Sequence, residues 1–360
     1  MLHRALGIST KAIYVMNHYF KNRQSGRVLY VEGQFAVKAN RGQLFISEDG
    51  GKRWTQTSKI GYSLGERIAV HNRLISRLFR LDIHHVAVKD SGELGLIVNK
   101  KTGVLSQNKI IIGAEVKGSR PLSLAEIDGE FVFGEYRSNP ERSHIGIYGF
   151  NEHNNLHKKA ELTGIRHIHG IYKDNYTNDV WITTGDNDDE AAIYRTTANF
   201  EKFHKILSGS QQTRAIKLLF DDKYIYYGSD APDEVNHLYR MNRSTHEVKK
   251  LAQVGSSVFH GYKVGNWFFF STAIEPSNIN TTKSAEIWAS PEGSEWKCIF
   301  RIEKDSLPMR YFQYGQVFFP SGPGDGRNLW LSPFGTKYDG NSFSMTLEQI
   351  WERFEEVHNV

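Results

Sequence analysis

The chain has one cysteine in 360 residues, Cys298. No internal disulfide is therefore possible, and the fold must stand on packing and hydrogen bonds. Cys298 falls in the strand-like run Trp296-Lys297-Cys298-Ile299-Phe300, where a small buried residue is expected rather than a nucleophile. Long apolar runs are also missing: none approaches the ~20 residues that cross a bilayer as a helix. Residues 1–20 lack a charged head followed by a continuous apolar core, so no secretory leader is expected. With the single cysteine, this makes a cytoplasmic location the expectation. No glycine-rich phosphate loop is present. No basic stripe is interleaved with aromatics, so nucleic acid is excluded as an expected partner, as is a membrane. No stretch rich in Pro, Gly or Ser divides the chain, which points to a single domain. The net charge is only +5, with a pI near 9.0 and Lys and Arg scattered. That describes a solvated surface with a slight leaning towards anionic ligands.

What is present favours strands. Aromatics make up 12% of the chain, with 17 Tyr and 21 Phe, and 32 glycines provide for many turns. A unit recurs: short strands with aromatic or aliphatic centres, separated by turns. Using the centre of the third strand as a ruler gives Phe45, Ile97, Tyr148, Tyr194, Tyr239, Trp288 and Trp330, at spacings of 42 to 52 residues. A repeat of this length built from four short strands predicts propeller blades. The expected fold is an all-β, seven-bladed β-propeller, with six blades as the alternative. The expected blades are 11–60, 78–118, 121–162, 165–208, 213–254, 257–303 and 309–346 within one domain, 1–360. Residues His3 to Ser9 are expected to close the ring as an outer strand. Leu347, Ile350, Trp351 and Phe354 lie at helical spacing, so 347–357 is predicted to be a short C-terminal helix. Gly61 to Ser76 reads as a polar connector without a pattern.

The stretch Ser47-Glu48-Asp49-Gly50-Gly51-Lys52-Arg53-Trp54 predicts a tight hairpin. Asp49 can accept backbone N–H groups, Gly51 tolerates positive φ, and Trp54 can cover an apolar gap. The pattern Ser-x-Asp-x-Gly-x-x-Trp resembles the Asp-box, or BNR repeat, of sialidase-like β-propellers. Worn copies follow other third strands, as in Ser290-Pro291-Glu292-Gly293-Ser294-Glu295-Trp296. The resemblance implies a glycosidase-like propeller and places this turn away from the ligand face. The Arg-Ile-Pro stretch of true sialidases is missing, which removes sialic acid hydrolysis from the expectation.

The ligand face is formed by the starts of inner strands and the ends of second strands. Gly164 to Gly170 offers Arg166, His167 and His169, the two histidines on one side of a strand. Other inner-strand starts offer Arg214, His260 with Tyr262, and Arg310. Second-strand ends offer Glu135, Tyr136 and Arg137, then Asp186, then Asp230.

Three readings follow. A glycoside hydrolase needs an acid and a second carboxylate, drawn from Glu135, Asp186 and Asp230. A polysaccharide lyase would use His260 and Tyr262 for proton transfer, with a cation neutralising a uronate carboxylate. The third reading is a non-catalytic propeller that binds a glycan or a protein. Arg137, Arg166, Arg214, Arg310 and Tyr136 are the substrate-binding candidates, for a glycan or anionic polysaccharide. His167, His169 and His260 are the candidate ligands of a divalent Mn or Zn ion, and no other cofactor is implied.

Overall fold

The structure, a computed structural model, describes residues 18–357. Seven sheets follow one another along the chain as the blades of a β-propeller. Each blade runs A to D from the axis outwards, every strand antiparallel to the last. Blade 4, for example, pairs Ile168–Lys173, Val180–Thr184, Ala192–Thr196 and His204–Ser208 in that order. Second strands such as Val180–Thr184 and Trp267–Thr272 are buried at every position. Neighbouring blades cover both of their faces, which is why they read as unbroken apolar runs rather than as alternations. The core is correspondingly divided into seven clusters, one at each blade–blade interface.

The ring closes by chain exchange. Asn22–Ser25 pairs antiparallel with Asn341–Thr346 and forms the outer strand of blade 7. These residues were expected in blade 1, and the proposed closing strand His3 to Ser9 lies outside the described residues. One residue, Gly26, then carries the chain into the inner strand of blade 1, Arg27–Glu32. Its φ is +91°, and a Cβ there would lie 2.4 Å from the Ala39 carbonyl oxygen, so only glycine fits. A further strand, Ser321–Gly324, leaves blade 7 and runs parallel inside blade 1.

The Ser47–Trp54 hairpin joins the third and fourth strands of blade 1. The Asp49 Oδ1 accepts the backbone N–H of Lys52 (3.1 Å) and Arg53 (2.8 Å), and the Ser47 hydroxyl accepts that of Gly51 (2.9 Å). Trp54 meets Trp330 of blade 7 edge-to-face at 6.5 Å between centroids, sealing the seam between first and last blades. Two of the ruler residues lie elsewhere than expected. Ile97 and Trp330 belong to second strands, Leu94–Val98 and Asn328–Phe334.

Helical segments complete the fold. Leu64–His71 and Arg73–Phe79, α1 and α2, form a hairpin between blades 1 and 2. This replaces the patternless connector expected there. Ser63 and Glu66 form a capping box at its start, and Asn72 caps α2. Arg73 and Arg77 tie α2 to blades 6 and 7 through Asp339 and Asp305. A single turn, α3 (Met309–Phe312), stands where an inner strand was expected, and the inner strand of blade 7 is Gln316–Phe318. The C-terminal helix α4, Leu347–Glu356, opens with a Thr346–Gln349 capping box and buries Ile350 and Phe354 against blades 6 and 7.

Candidate functional site

The loops entering strand A and leaving strand B share one face of a propeller, and on blades 3 to 5 they carry a polar cluster. His167 precedes the inner strand of blade 4 and His169 is its second residue. Pairing shifts between Ile168 and Gly170, and this bulge frees His169 from the ladder and turns it towards the axis. Asp186 follows the second strand of blade 4, Arg214 precedes the inner strand of blade 5, and Asp230 follows its second strand.

Both imidazoles are oriented by main-chain carbonyls. His167 Nδ1 lies 3.2 Å from the Arg137 oxygen, and His169 Nδ1 lies 3.2 Å from the Ala215 oxygen. A carbonyl only accepts, so each Nδ1 carries the proton and each Nε2 points inward. The two Nε2 atoms are 3.1 Å apart, and Asp186 Oδ1 lies 3.3 Å from one and 3.5 Å from the other. The Tyr136 ring covers His167 with centroids 4.1 Å apart.

Asp186 is also bound by two arginines. Arg166 Nη1 is 2.8 Å from its Oδ2, and Arg214 Nη2 is 3.1 Å from its Oδ1. Burial works against its charge. The cations around it, Arg214 among them, prevail and hold this carboxyl far below the usual carboxylate range. His169 is lowered, chiefly by burial. Arg214 Nε also reaches Asp230 Oδ2 at 3.2 Å. Asp230 behaves oppositely: burial pushes it up, the charges of Glu275 and Asp186 add to this, and Arg214 opposes it. It comes to about 7. Of two carboxyl groups on one guanidinium, one is thus lowered and the other raised.

Asp230, Arg214, His169 and Tyr136 look onto an axial cavity of about 1230 Å³. Arg73 and Arg77 of α2 line part of it. Its interior is rich in cations. Arg27 lies 3.8 Å above the Phe318 ring, and burial lowers it to about 10. Lys217 lies over the Tyr172 ring at 4.8 Å, and burial lowers its ammonium to about 8. Lys217 has no hydrogen bond or ion pair among the described residues. These groups, with Glu275 and the α2 arginines, were missed in the sequence. The available signal was a charged residue inside an apolar inner strand, as in Ala215-Ile216-Lys217-Leu218-Leu219.

The remaining candidates are placed differently. Glu135 is buried under blade 3, where it binds Arg137 Nε at 2.7 Å and the Gly146 N–H at 2.9 Å, so it holds a loop. Arg137 also ties down Asn139 and Ser143, and only its carbonyl touches the cluster, through His167. His260 is not part of the histidine pair: its Nε2 bonds Gln316 at 2.8 Å and its ring packs on Phe318. The third ligand-type group beside His167 and His169 is Asp186. Burial lowers His260 to about 3 and pushes Tyr262 well above the usual phenol range. Tyr262 stacks on Phe319 and its hydroxyl has no partner among the described residues. Arg310 is exposed on α3, away from the cavity lining.

The fold defines the chain as a seven-bladed β-propeller. No protein-family model and no curated protein matches the sequence. Solved structures share the architecture at low identity. The extracellular domain of the one-component system BT4673 from B. thetaiotaomicron matches with a TM-score of 0.56 at 12% identity over 91% of this chain. The chain spans 40% of the length of that protein. A chain of the mitotic checkpoint complex matches at 0.57 and 12% identity, over 92% of this chain and 95% of that one. YCF48 bound to D1 peptide matches at 0.51 and 8% identity, over 91% and 95%. At such identities the likeness describes the fold and nothing finer.

Proposed function

We propose that this propeller acts on an anionic glycan at the mouth of the axial cavity, as a glycosidase-like hydrolase of the Asp-box group. The observation that carries the reading is the pair Asp186 and Asp230 on Arg214, one held ionised and the other able to keep a proton to about pH 7. Opposed carboxyl environments are what acid-assisted glycosidic cleavage requires. Asp230 is the acid that protonates the leaving oxygen, and Asp186 is its ionised partner. Arg166, with 42% of its side chain exposed, can accept a substrate carboxylate, and Tyr136 provides a ring face for a sugar. The basic cavity interior suits the same charge. Elimination by His260 and Tyr262 has less support, because Gln316 engages the imidazole and burial holds the phenol strongly protonated.

The test is an assay of uronate-containing and neutral polysaccharides for new reducing ends and for absorbance of unsaturated products. Reducing ends without that absorbance, lost in Asp230→Asn, support the hydrolase. Unsaturated products would replace it with the lyase. A second reading is a binding propeller, which the fold shared with YCF48 in complex with a peptide keeps in view. Binding of glycan or peptide with no cleavage of any polysaccharide would select it.

A further inference from the structure

The geometry points to a divalent transition-metal site formed by His167 Nε2, His169 Nε2 and a carboxylate oxygen of Asp186. It does not depend on the hydrolase reading. Three observations carry it. First, the two Nδ1–H groups are committed to the Arg137 and Ala215 carbonyls, so neutral imidazoles present bare Nε2 lone pairs to each other at 3.1 Å. Such an arrangement is repulsive unless something positive lies between them. Carbonyl acceptors behind ligating imidazoles are also the usual outer support of histidine metal sites.

Second, the spacing fits an ion. Bonds of about 2.1 Å put neighbouring donors about 3.0 Å apart at right angles and about 3.4 Å apart in a tetrahedron. The three separations here are 3.1, 3.3 and 3.5 Å. Third, the donor set is two nitrogens and one oxygen, which suits Zn²⁺ or Mn²⁺. Three protein ligands on one side leave positions open to solvent or a ligand, the pattern of reactive sites rather than closed structural ones. Arg166 and Arg214 lie against Asp186 and partly offset its charge, so they would moderate affinity while fixing the carboxylate's orientation.

The competing account is a proton shared between the imidazoles, with no metal. The purified full chain, stripped with chelator and dialysed against Zn²⁺ or Mn²⁺, distinguishes the two. The wild type should retain about one equivalent of metal and melt at a higher temperature with the ion than without it. His169→Ala and the shape-conserving Asp186→Asn should each lower affinity at least about tenfold and lose the metal-dependent rise in melting temperature. His260→Ala should retain both. No stoichiometric uptake by the wild type would overturn the site, as would uptake that survives His169→Ala and Asp186→Asn. If metal binds but no polysaccharide is cleaved, the site stands and the hydrolase reading falls. If metal binds and cleavage occurs, Asp186 is a ligand rather than the direct nucleophile, and Asp230 keeps its role as acid.

Discussion

Asp186 and Asp230 share one guanidinium: Arg214 Nη2 is 3.1 Å from the Oδ1 of the first, and Arg214 Nε is 3.2 Å from the Oδ2 of the second. The cation spaces the two carboxyl groups and opposes the rise of Asp230. Replacing it with the uncharged Arg214→Met should raise the Asp230 pKa above about 7. For an enzyme using Asp230 as acid, activity falls as pH rises through that value. The alkaline limb of kcat/KM should therefore start near pH 7 and move upward in the variant, while the maximum falls on the order of a hundredfold. A pH–rate profile on the cleaved polysaccharide checks both.

Asp230 also makes a prediction about stability that needs no substrate. Its carboxyl lies at about 7 in the folded chain against 3.8 for an ordinary aspartate, so the folded state binds its proton more tightly. This group's contribution is then fully present below about pH 4 and is lost as pH rises through 7. Asp230→Asn keeps the shape and removes that dependence. Thermal unfolding from pH 5 to 9 should show the variant gaining on the wild type as pH rises. A constant difference would show that Asp230 does not titrate in this range.

The architecture was legible because its signals are local. The Ser47–Trp54 turn uses side chains within a few residues of one another, and second strands packed on both faces read as apolar runs. Helix α1 was missed although Ser63 and Glu66 carry its cap, because Leu64-Gly65 after that cap weakens any periodic pattern. Ile97 and Trp330 misled as rulers because buried second strands carry the same large residues as third strands. At the site, sequence assembled the right loops but could not say which side chains meet. His260 and His169 both start inner strands, yet Gln316 engages one and Asp186 faces the other. Glu135 resembles Asp230 in position, and only the Gly146 N–H and Arg137 show that it is consumed in holding a loop.

Arg77 should govern the hairpin at the cavity. Its side chain is 2% exposed, and its guanidinium lies 2.5 Å from Asp305 and donates to the Phe312 carbonyl at 2.8 Å. Arg77→Ala leaves the Phe312 carbonyl without this donor, while Asp305 keeps Lys304 and the Leu307 N–H and Asp339 keeps Arg73, so the cost should be about 1–3 kcal/mol. Hydrogen exchange should rise first in residues 64–79, because these ion pairs anchor α2. Equal loosening of all seven blades would contradict an anchoring role.

Gly51 tests the blade seam apart from any chemistry. Its φ is +83°, and a Cβ there would lie 2.6 Å from the Trp330 ring. Gly51→Ala should cost on the order of 2 kcal/mol, from backbone strain and displacement of the indole. Because the turn lies on the face opposite Asp230, kcat/KM of the folded fraction should not change. Denaturant unfolding and a rate assay on the same preparation separate the two effects.

Lys217 has the opposite electrostatic sense to Asp230. Burial lowers its ammonium from 10.5 to about 8, and the folded state therefore binds this proton less tightly than the unfolded chain does. The penalty is present below about pH 8 and is relieved as pH rises towards 10.5. Lys217→Met retains an unbranched chain over the Tyr172 ring and removes the buried charge. The variant should be more stable than the wild type at pH 7, with the gap closing towards pH 10. A residue kept only for packing would show no such convergence. If the cavity receives an anionic glycan, the same substitution should raise KM for acidic substrates about tenfold and leave neutral ones unchanged, since one unpaired cation of the lining is removed. Parallel rises for both substrates would place the role of Lys217 in the shape of the cavity rather than in its charge.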